Sequence, residues 1–496
     1  MYGRSIFYFP SVQKPDEYIY YPNSSDTTYA ALSKRHLPVI LPEYIPSLSR
    51  KLYKHIKPFV KPTKKFSRDY YISTLPRDKQ KLYQQTAKWM DDNHNKHSPV
   101  ITPFTKIEKM TRKYKAPRLI QARHPTFNIK YGCYIKPIEI DIKNHVQFSK
   151  GNYRMMAMKI NEMKKKYKYY TEIDHTTFDA HVTVEHLRLT HMFYSACHGP
   201  NAELRQLSKQ TIRNNGKTRD KIKYKVRGTR MSGDVDTSLG NSLINYAIIK
   251  QGLEHLKIKG DVIVNGDDSI IFSDNPIDVT KITQIMKYYN METKCKETTT
   301  NIYNVEFCQH KLIITNDGVH SMMPNTARVL NRFGMTYKTI DSYHAYLLET
   351  LYASSLAYSD TKFGTDLTNI YQLSLIIVLN NNKTKKINKQ KNIKNLHKKI
   401  KKLKRINRDL RRQVMNQKQD KGSDNVDVKN NKYKEYLEFN YTQVSKNLLN
   451  YYSDINLFRL KIIRIFSGLD LSLHDLRSLN LTTDLISHDL EIITRT

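Results

Sequence analysis

Apolar residues run through this chain in short stretches whose spacing changes several times, and each change marks an expected element. Residues 262–272 hold two apolar runs, Val262-Ile263-Val264 and Ile270-Ile271-Phe272, around Asn265-Gly266-Asp267-Asp268. That pattern predicts strand, tight Asn-Gly turn, strand. Residues 152–170 read as a basic amphipathic helix leading into a strand over 169–173, and residues 184–196 as the next helix. A loop of Ser, Gly, Asp and Thr over 226–241 gives way to a helix over 242–252. Further helices are expected over 78–92, 280–290 and 343–357, and a strand group over 305–323 turns at Asn316-Asp317-Gly318. Basic and apolar residues interleave over 103–109 and 113–123, as in a strand pair that holds cations over a groove. Late in the chain, Ile393, Leu396, Ile400, Leu403, Ile406 and Leu410 recur at steps of three and four on a very basic segment. A docking stripe, an RNA clamp and a coiled-coil seam all fit that spacing. The longest apolar run, residues 373–379, is much too short to span a bilayer.

These elements mix helices and strands, so the expected fold class is α+β. With 496 residues, 39% of them hydrophobic, the chain is long enough for more than one sub-domain around a sizeable core. Charge narrows the partner class. Lys and Arg number 83 against 46 Asp and Glu, a formal net charge of +37. An excess of that size fits a polyanion, nucleic acid before an anionic membrane surface. Cys133, Cys197, Cys295 and Cys308 are too scattered for a disulfide framework, and no pair has the short spacing of a zinc knuckle. Residues 1–10 contain no apolar segment of signal-peptide length. Composition sets off an N-terminal extension (1–95), a basic helix and polar linker (381–432) and a leucine-rich tail (433–496).

Against this basic background the acidic residues stand out. Asp267 and Asp268 fall at a hairpin tip between buried strands. Negative charge there is costly unless a cation neutralises it, and hard divalent cations take oxygen ligands. Asp174 ends the strand over 169–173, and Asp179 follows where the chain turns toward the next helix. A helix cap accounts for one strand-end aspartate. It does not account for both, nor for a second acidic strand end at Asp267. Phosphoryl transfer onto a growing chain needs carboxylates from two neighbouring strands to hold two divalent ions roughly 3.5–4 Å apart, which Asp174 and Asp267 could supply. Arg118 and Arg123 bring guanidinium forks suited to phosphate. Small-residue loops such as the one ending at Asn241 present backbone N–H groups and hydroxyls to a ligand.

In chain order these runs are a basic strand pair, Asp-x4-Asp, a Ser-Gly…Thr…Asn loop and helix, and a Gly-Asp-Asp hairpin. That order resembles the RNA-dependent RNA polymerases of positive-strand RNA viruses, the tombusvirus-like group in particular, over roughly residues 103–330. The motifs are residues 115–123 with 131–137 (motif F), 174–182 (A), 230–241 (B), 265–269 (C) and 305–309 (E). The resemblance implies a right-hand polymerase fold with an antiparallel palm sheet. Fingers and palm would occupy 96–304, motif E and thumb 305–380, and residues 433–496 would be further thumb or an appendage.

It also implies replication of a viral RNA genome by two-metal-ion, template-directed nucleotidyl transfer, with Mg2+ as cofactor and Mn2+ as substitute. Asp174 and Asp267 would be catalytic metal ligands, with Asp268 assisting. Asp179, Asn241 and Ser232 would select ribose, supported by Thr237. Arg118 and Arg123, with Lys115 beside them, would grip the incoming triphosphate. Cys308 would lie in the primer grip, and Lys294 or Lys296 would protonate pyrophosphate. The implied partners are an RNA template, the nascent strand and nucleoside triphosphates. Because no transmembrane segment is expected here, a separate viral membrane-anchoring replication protein would bring the enzyme to membrane-associated complexes in the host cytoplasm. Position 236 departs from the group: it is Asp where Asn is more common, which adds negative charge near the ribose site.

Two rival readings make other demands. A reverse transcriptase or terminal transferase is disfavoured by Asp179 with Asn241, because a DNA-making site would block the 2′-hydroxyl with a bulky aromatic. A non-enzymatic RNA-binding scaffold needs only the charge, and its RNA binding would ignore the loss of Asp174 or Asp267.

Overall fold

The computed structural model describes residues 24–106, 116–149, 151–219, 221–314, 318–334, 342–383, 455–459, 461–462 and 465. Lys115 and the basic stripe from Ile393 to Leu410 lie outside the described residues, as does the expected turn at Asn316-Asp317. Contacts divide the chain into two units, one of residues 16–313 with 320–324 and one of residues 1–15, 314–319 and 325–496.

In chain order the strands are β1 (Ile101–Thr105), β2 (Leu119–Arg123), β3 (Tyr169–His175), β4 (Arg213–Lys217), β5 (Lys223–Arg227), β6 (Gly260–Asn265), β7 (Asp268–Ser273), β8 (Thr293–Cys295), β9 (Glu306–Phe307), β10 (His310–Ile314) and β11 (His320–Pro324). They form three sheets, ordered β2-β1-β4-β5, β6-β7-β3-β8 and β11-β10-β9. The β6-β7-β3-β8 sheet is antiparallel throughout. The first sheet is mixed, because β1 meets β4 in parallel. Helices and antiparallel strands thus share one body, the α+β class expected from the pattern.

The apolar runs in β6 and β7 are continuous because their sheet is covered on both sides. Val262, Val264 and Ile271 pack with Leu243, Ala247 and the rest of the main core. Ile263, Ile270 and Phe272 point the other way, into a cluster with Met156, Ile160, Phe307 and Met322. Helix Thr237–His255 supplies the main core's side of this sandwich and is itself buried along most of its length. Leu52 and Ile56 belong to the same core, so residues ahead of 95 are part of this unit's interior.

Three elements differ from expectation. The hairpin turns at Gly266-Asp267, because Asn265 pairs with Asp268 inside the ladder. The helix expected from 242 begins at Thr237. Gly240 made that turn read as loop, yet glycine is required there: a Cβ would collide with the Arg230 guanidinium. Residues 131–137, grouped with 115–123 as motif F, lie largely in the core. They lie in helix Pro125–Ile142, where Tyr131, Cys133, Tyr134 and Ile135 are buried, and a Cβ on Gly132 would strike the Tyr71 ring.

The other unit's described part is helical: Thr326–Arg332, Tyr343–Ala357 and Lys362–Lys383. Buried Leu347, Leu351, Phe363 and Leu367 form its interior. Among the described residues no helix is long and apolar enough to cross a membrane.

Candidate active site

The acidic edge is a product of strand register. β7 lies between β6 and β3, and the pair Ile173–Ser269 makes the next step of the ladder bring Asp174 beside Asp268. On its other side Asp174 pairs with Lys294 of β8. Gly266 opens the two-residue turn at φ +69, a conformation glycine adopts without strain. Asp174, Asp267 and Asp268 all reach solvent at this edge.

Surrounding protein nevertheless displaces much of the water around the turn. Lost hydration raises the Asp267 carboxyl above its usual range; the Asp174 charge adds to this and Arg118 opposes it. Asp268 is pushed up to about 6, by lost hydration first and the Asp267 charge next. Among the described residues, no three His, Cys, Asp or Glu side chains stand close enough to hold a metal ion as they are. The donor set still suits a hard divalent cation, since it offers only oxygen and the Asp174 charge helps to raise both Asp267 and Asp268.

Helix Thr237–His255 latches the turn in place. The Ser242 hydroxyl accepts a hydrogen bond from the Gly266 N–H at 2.8 Å. The Asn245 amide donates to the carbonyls of Gly266 (3.1 Å) and Asp267 (3.0 Å). With that amide committed, Asn245 Oδ1 can only accept, and it takes its bond from His175 Nε2 at 3.0 Å. His175 Nδ1 then accepts from the Thr293 hydroxyl at 2.8 Å. Burial pushes His175 down to about 4, so the imidazole beside Asp174 is neutral.

From the other direction, the β9–β10 turn presses Cys308 against the hairpin. Cys308 and Gln309 take φ 51 and 64, as a tight two-residue turn demands. Asn265 Nδ2 donates to Cys308 Sγ at 3.3 Å, and the thiol hydrogen-bonds Asp268.

A second constellation surrounds Asp179. Asn241 Nδ2 donates to Asp179 Oδ1 at 2.8 Å. Arg230 Nε holds the Asn241 carbonyl oxygen at 3.2 Å, and Arg230 Nη1 bonds Asp236 Oδ2 at 2.6 Å. Both side chains of that ion pair are fully buried. Tyr194 donates its hydroxyl hydrogen to the same Asp236 oxygen at 3.1 Å. Asp236 therefore serves as the counter-ion of Arg230 rather than as the loose negative charge expected at this position. Lost hydration raises Asp179 to about 6, with the Asn241 bond pulling the other way.

The remaining sequence candidates separate. Ser232 ties its loop to β2, donating to the Leu119 carbonyl at 2.9 Å and accepting from the Gln121 N–H at 3.3 Å. Thr237 Oγ1 lies 2.9 Å from the carbonyls of Met231 and Asp234, closing the loop onto its helix. Arg123 requires a correction. Its side chain has no exposure, and its donors are spent on Asp234, Asn214 and the carbonyls of Pro99 and Gln210. It braces the fold and offers nothing to a triphosphate. Arg118 is exposed, and its charge is felt at Asp267.

Arg230, Ser242, Asn245 and His175 were not singled out by sequence reasoning, and Asp236 was noted only as a departure from the group. A polar stripe of Asn241, Ser242 and Asn245 on an otherwise apolar segment was the available signal. It becomes readable once the helix is extended back to Thr237.

A sequence model of the family described as viral RNA dependent RNA polymerase matches residues 30–336. Among curated proteins, the chain is 33% identical over 230 residues to the RNA-directed RNA polymerase of Panicum mosaic virus, covering 42% of this chain and 23% of that protein. It is 31% identical over 272 residues to that of Turnip crinkle virus, covering 51% and 34%. With the enzyme of Tobacco necrosis virus (strain A) it shares 31% identity over 256 residues, covering 48% and 35%. The matched part spans about a quarter to a third of these relatives' own length.

Proposed function

Because this chain belongs to the viral RNA dependent RNA polymerase family, we propose that it joins ribonucleotides on an RNA template and so replicates a viral RNA genome. One observation carries the reading: register places Asp174 and the Asp267-Asp268 turn on one edge of one antiparallel sheet. In the right-hand description this sheet is the palm, the mixed sheet belongs to the fingers, and the helices after residue 325 to the thumb.

Asp174 and Asp267 would hold divalent cations from adjacent strands, with Asp268 beside them. Mg2+ bound there would neutralise charge on the attacking 3′-oxygen and on the leaving pyrophosphate, and Mn2+ would substitute. The 3′-oxygen forms a bond to the α-phosphorus as the bond to pyrophosphate breaks. Lys294 stands opposite Asp174, whereas Lys296 is held by Glu172 at 2.5 Å. Lys294 is therefore the better-placed donor of a proton to pyrophosphate. Arg118 supplies positive charge to the triphosphate. The Asp179 oxygen not held by Asn241 accepts a hydrogen bond from the ribose 2′-hydroxyl. A deoxynucleotide would leave that oxygen without its partner.

Primer extension on a defined RNA template with ribonucleotides and Mg2+ tests this reading. Product should depend on template and fall by on the order of a hundredfold or more in Asp267→Asn, as expected when a metal ligand is removed. Product that survives the substitution would move the chemistry elsewhere. A protein that binds RNA equally well with and without Asp174 and Asp267, and makes no product, would instead be a scaffold.

A further inference from the structure

We propose that a cleft beside Trp89 binds a nucleobase and its adjoining phosphate from single-stranded RNA. The cleft has a volume of about 670 Å3, and its lining includes Gln85, Trp89, Lys96, His97, Ser98 and His124. That volume suits one nucleotide. The ligand class rests on the family reading; the cleft itself is separate from the acidic edge.

One wall is fixed. His97 Nε2 is 3.0 Å from Gln210 Oε1, the Ser98 N–H donates to Thr126 Oγ1 at 3.1 Å, and His124 Nδ1 is 2.8 Å from that same hydroxyl. The opposite wall is uncommitted. Trp89 is 47% exposed. Among the described residues its indole N–H, the Gln85 amide and the Lys96 ammonium have no hydrogen-bond or ion-pair partner. An exposed indole face offers stacking, an amide reads a base edge, and an ammonium takes a phosphate, as in sites for single-stranded nucleic acid. Asp92, three residues along the helix from Trp89, shares its side of the helix. It favours an uncharged base over the indole, with the phosphate at Lys96.

The fixed wall also leads toward the ribose-reading loop. Arg123 bonds the Pro99 and Gln210 carbonyls on the cleft side and Asp234 in the loop before helix Thr237–His255. RNA held in the cleft would thus be braced by the residue that braces the loop carrying Arg230 and Asp236. A charge of +37 makes a polyanionic strand the matching partner.

Trp89 is the chain's one tryptophan, so its fluorescence reports on this cleft alone. Full-length protein, without nucleotides or divalent cations, is titrated with a 5′-phosphorylated octauridylate, and a labelled copy gives affinity by anisotropy. We expect saturable quenching, with Trp89→Ala weakening binding roughly 5- to 150-fold, the loss of one base–aromatic stack. Lys96→Ala should lower the salt slope by about 0.7, one phosphate contact. Both positions are exposed, and circular dichroism checks that the variants fold. RNA that saturates the anisotropy signal without changing Trp89 emission would overturn the proposal. So would unchanged affinity in folded Trp89→Ala, or equal quenching by an eight-base-pair duplex. Quenching in a protein whose primer extension fails would count against the polymerase reading and leave the cleft standing. Absent quenching in an active polymerase would do the reverse.

Discussion

Asp179 shows how much one side chain depends on its neighbours. The recognition of ribose proposed for it would run through Asn241 to Arg230, whose charge is balanced by Asp236 in the interior. Replacing Arg230 with Met keeps the volume and removes the grip on the Asn241 carbonyl. It leaves Asp236 buried without a counter-ion, so some loss of stability is expected. The specific signature is a fall in preference for ribonucleotides over deoxynucleotides of about 5- to 100-fold, read as a ratio of kcat/KM values. A variant that loses stability yet keeps the ratio would make Arg230 structural only. Proton linkage acts on the same site. Asp179 and Asp268 are each raised to about 6, and Asp267 is raised as well. Asp179 and Asp268 are ionised above that value and become protonated as pH falls through it, and Asp267 takes its proton at a higher pH than an ordinary aspartate. Divalent-cation binding should therefore weaken steeply between pH 7.5 and 5.5, by calorimetry with Mn2+. Affinity that stays flat across that window would show the three to be ordinary carboxylates.

Between elements, the decisive contact is the one from helix Thr237–His255 to the β6–β7 turn. Asn245 satisfies two turn carbonyls and His175 together. Asn245→Ala removes all three bonds and strands a buried imidazole, at a cost of about 1–3 kcal/mol. The turn would lose its seat against the Asp174 strand. We expect kcat to fall more than the KM for nucleotide changes, because the damage is to the alignment of the acidic edge. A pure rise in KM would place Asn245 in substrate binding instead. Little of this latch was legible beforehand. The hairpin was readable from its apolar flanks and its glycine, which are local signals. The latch depends on Ser242 and Asn245 facing a turn some twenty residues further along, and only packing supplies that.

For the whole molecule, burial sets the response to acid. His36 and His175 are pushed down to about 4 and His186 to about 3, chiefly by lost hydration. Each imidazole is neutral in the fold but takes a proton near pH 6.5 when unfolded. The unfolded state thus gains protons first, so stability falls as pH drops below about 6.5 and keeps falling toward 4. On this basis His36 and His175 each contribute at most about 3 kcal/mol and His186 at most about 5 kcal/mol. The thermal midpoint should drop clearly from pH 7 to pH 5, and less in His186→Gln. An unchanged midpoint would mean that these rings are not held neutral.

The sequence by itself determined the chemistry and its order: the Asp-x4-Asp run, the Gly-Asp-Asp hairpin, the loop ending at Asn241, and the basic charge. Those features live in short windows, where side-chain period and turn preference act through a few neighbouring residues. Tertiary structure decided which of these residues face the site. Alternation along β2 puts Arg123 on one face with Leu119 and Gln121, and Arg118 on the other. Nothing local says which face the rest of the protein covers. That is settled by Asp234, more than a hundred residues away, which claims Arg123 for the interior. Arg118, on the other face, stays exposed, and its charge is felt at Asp267.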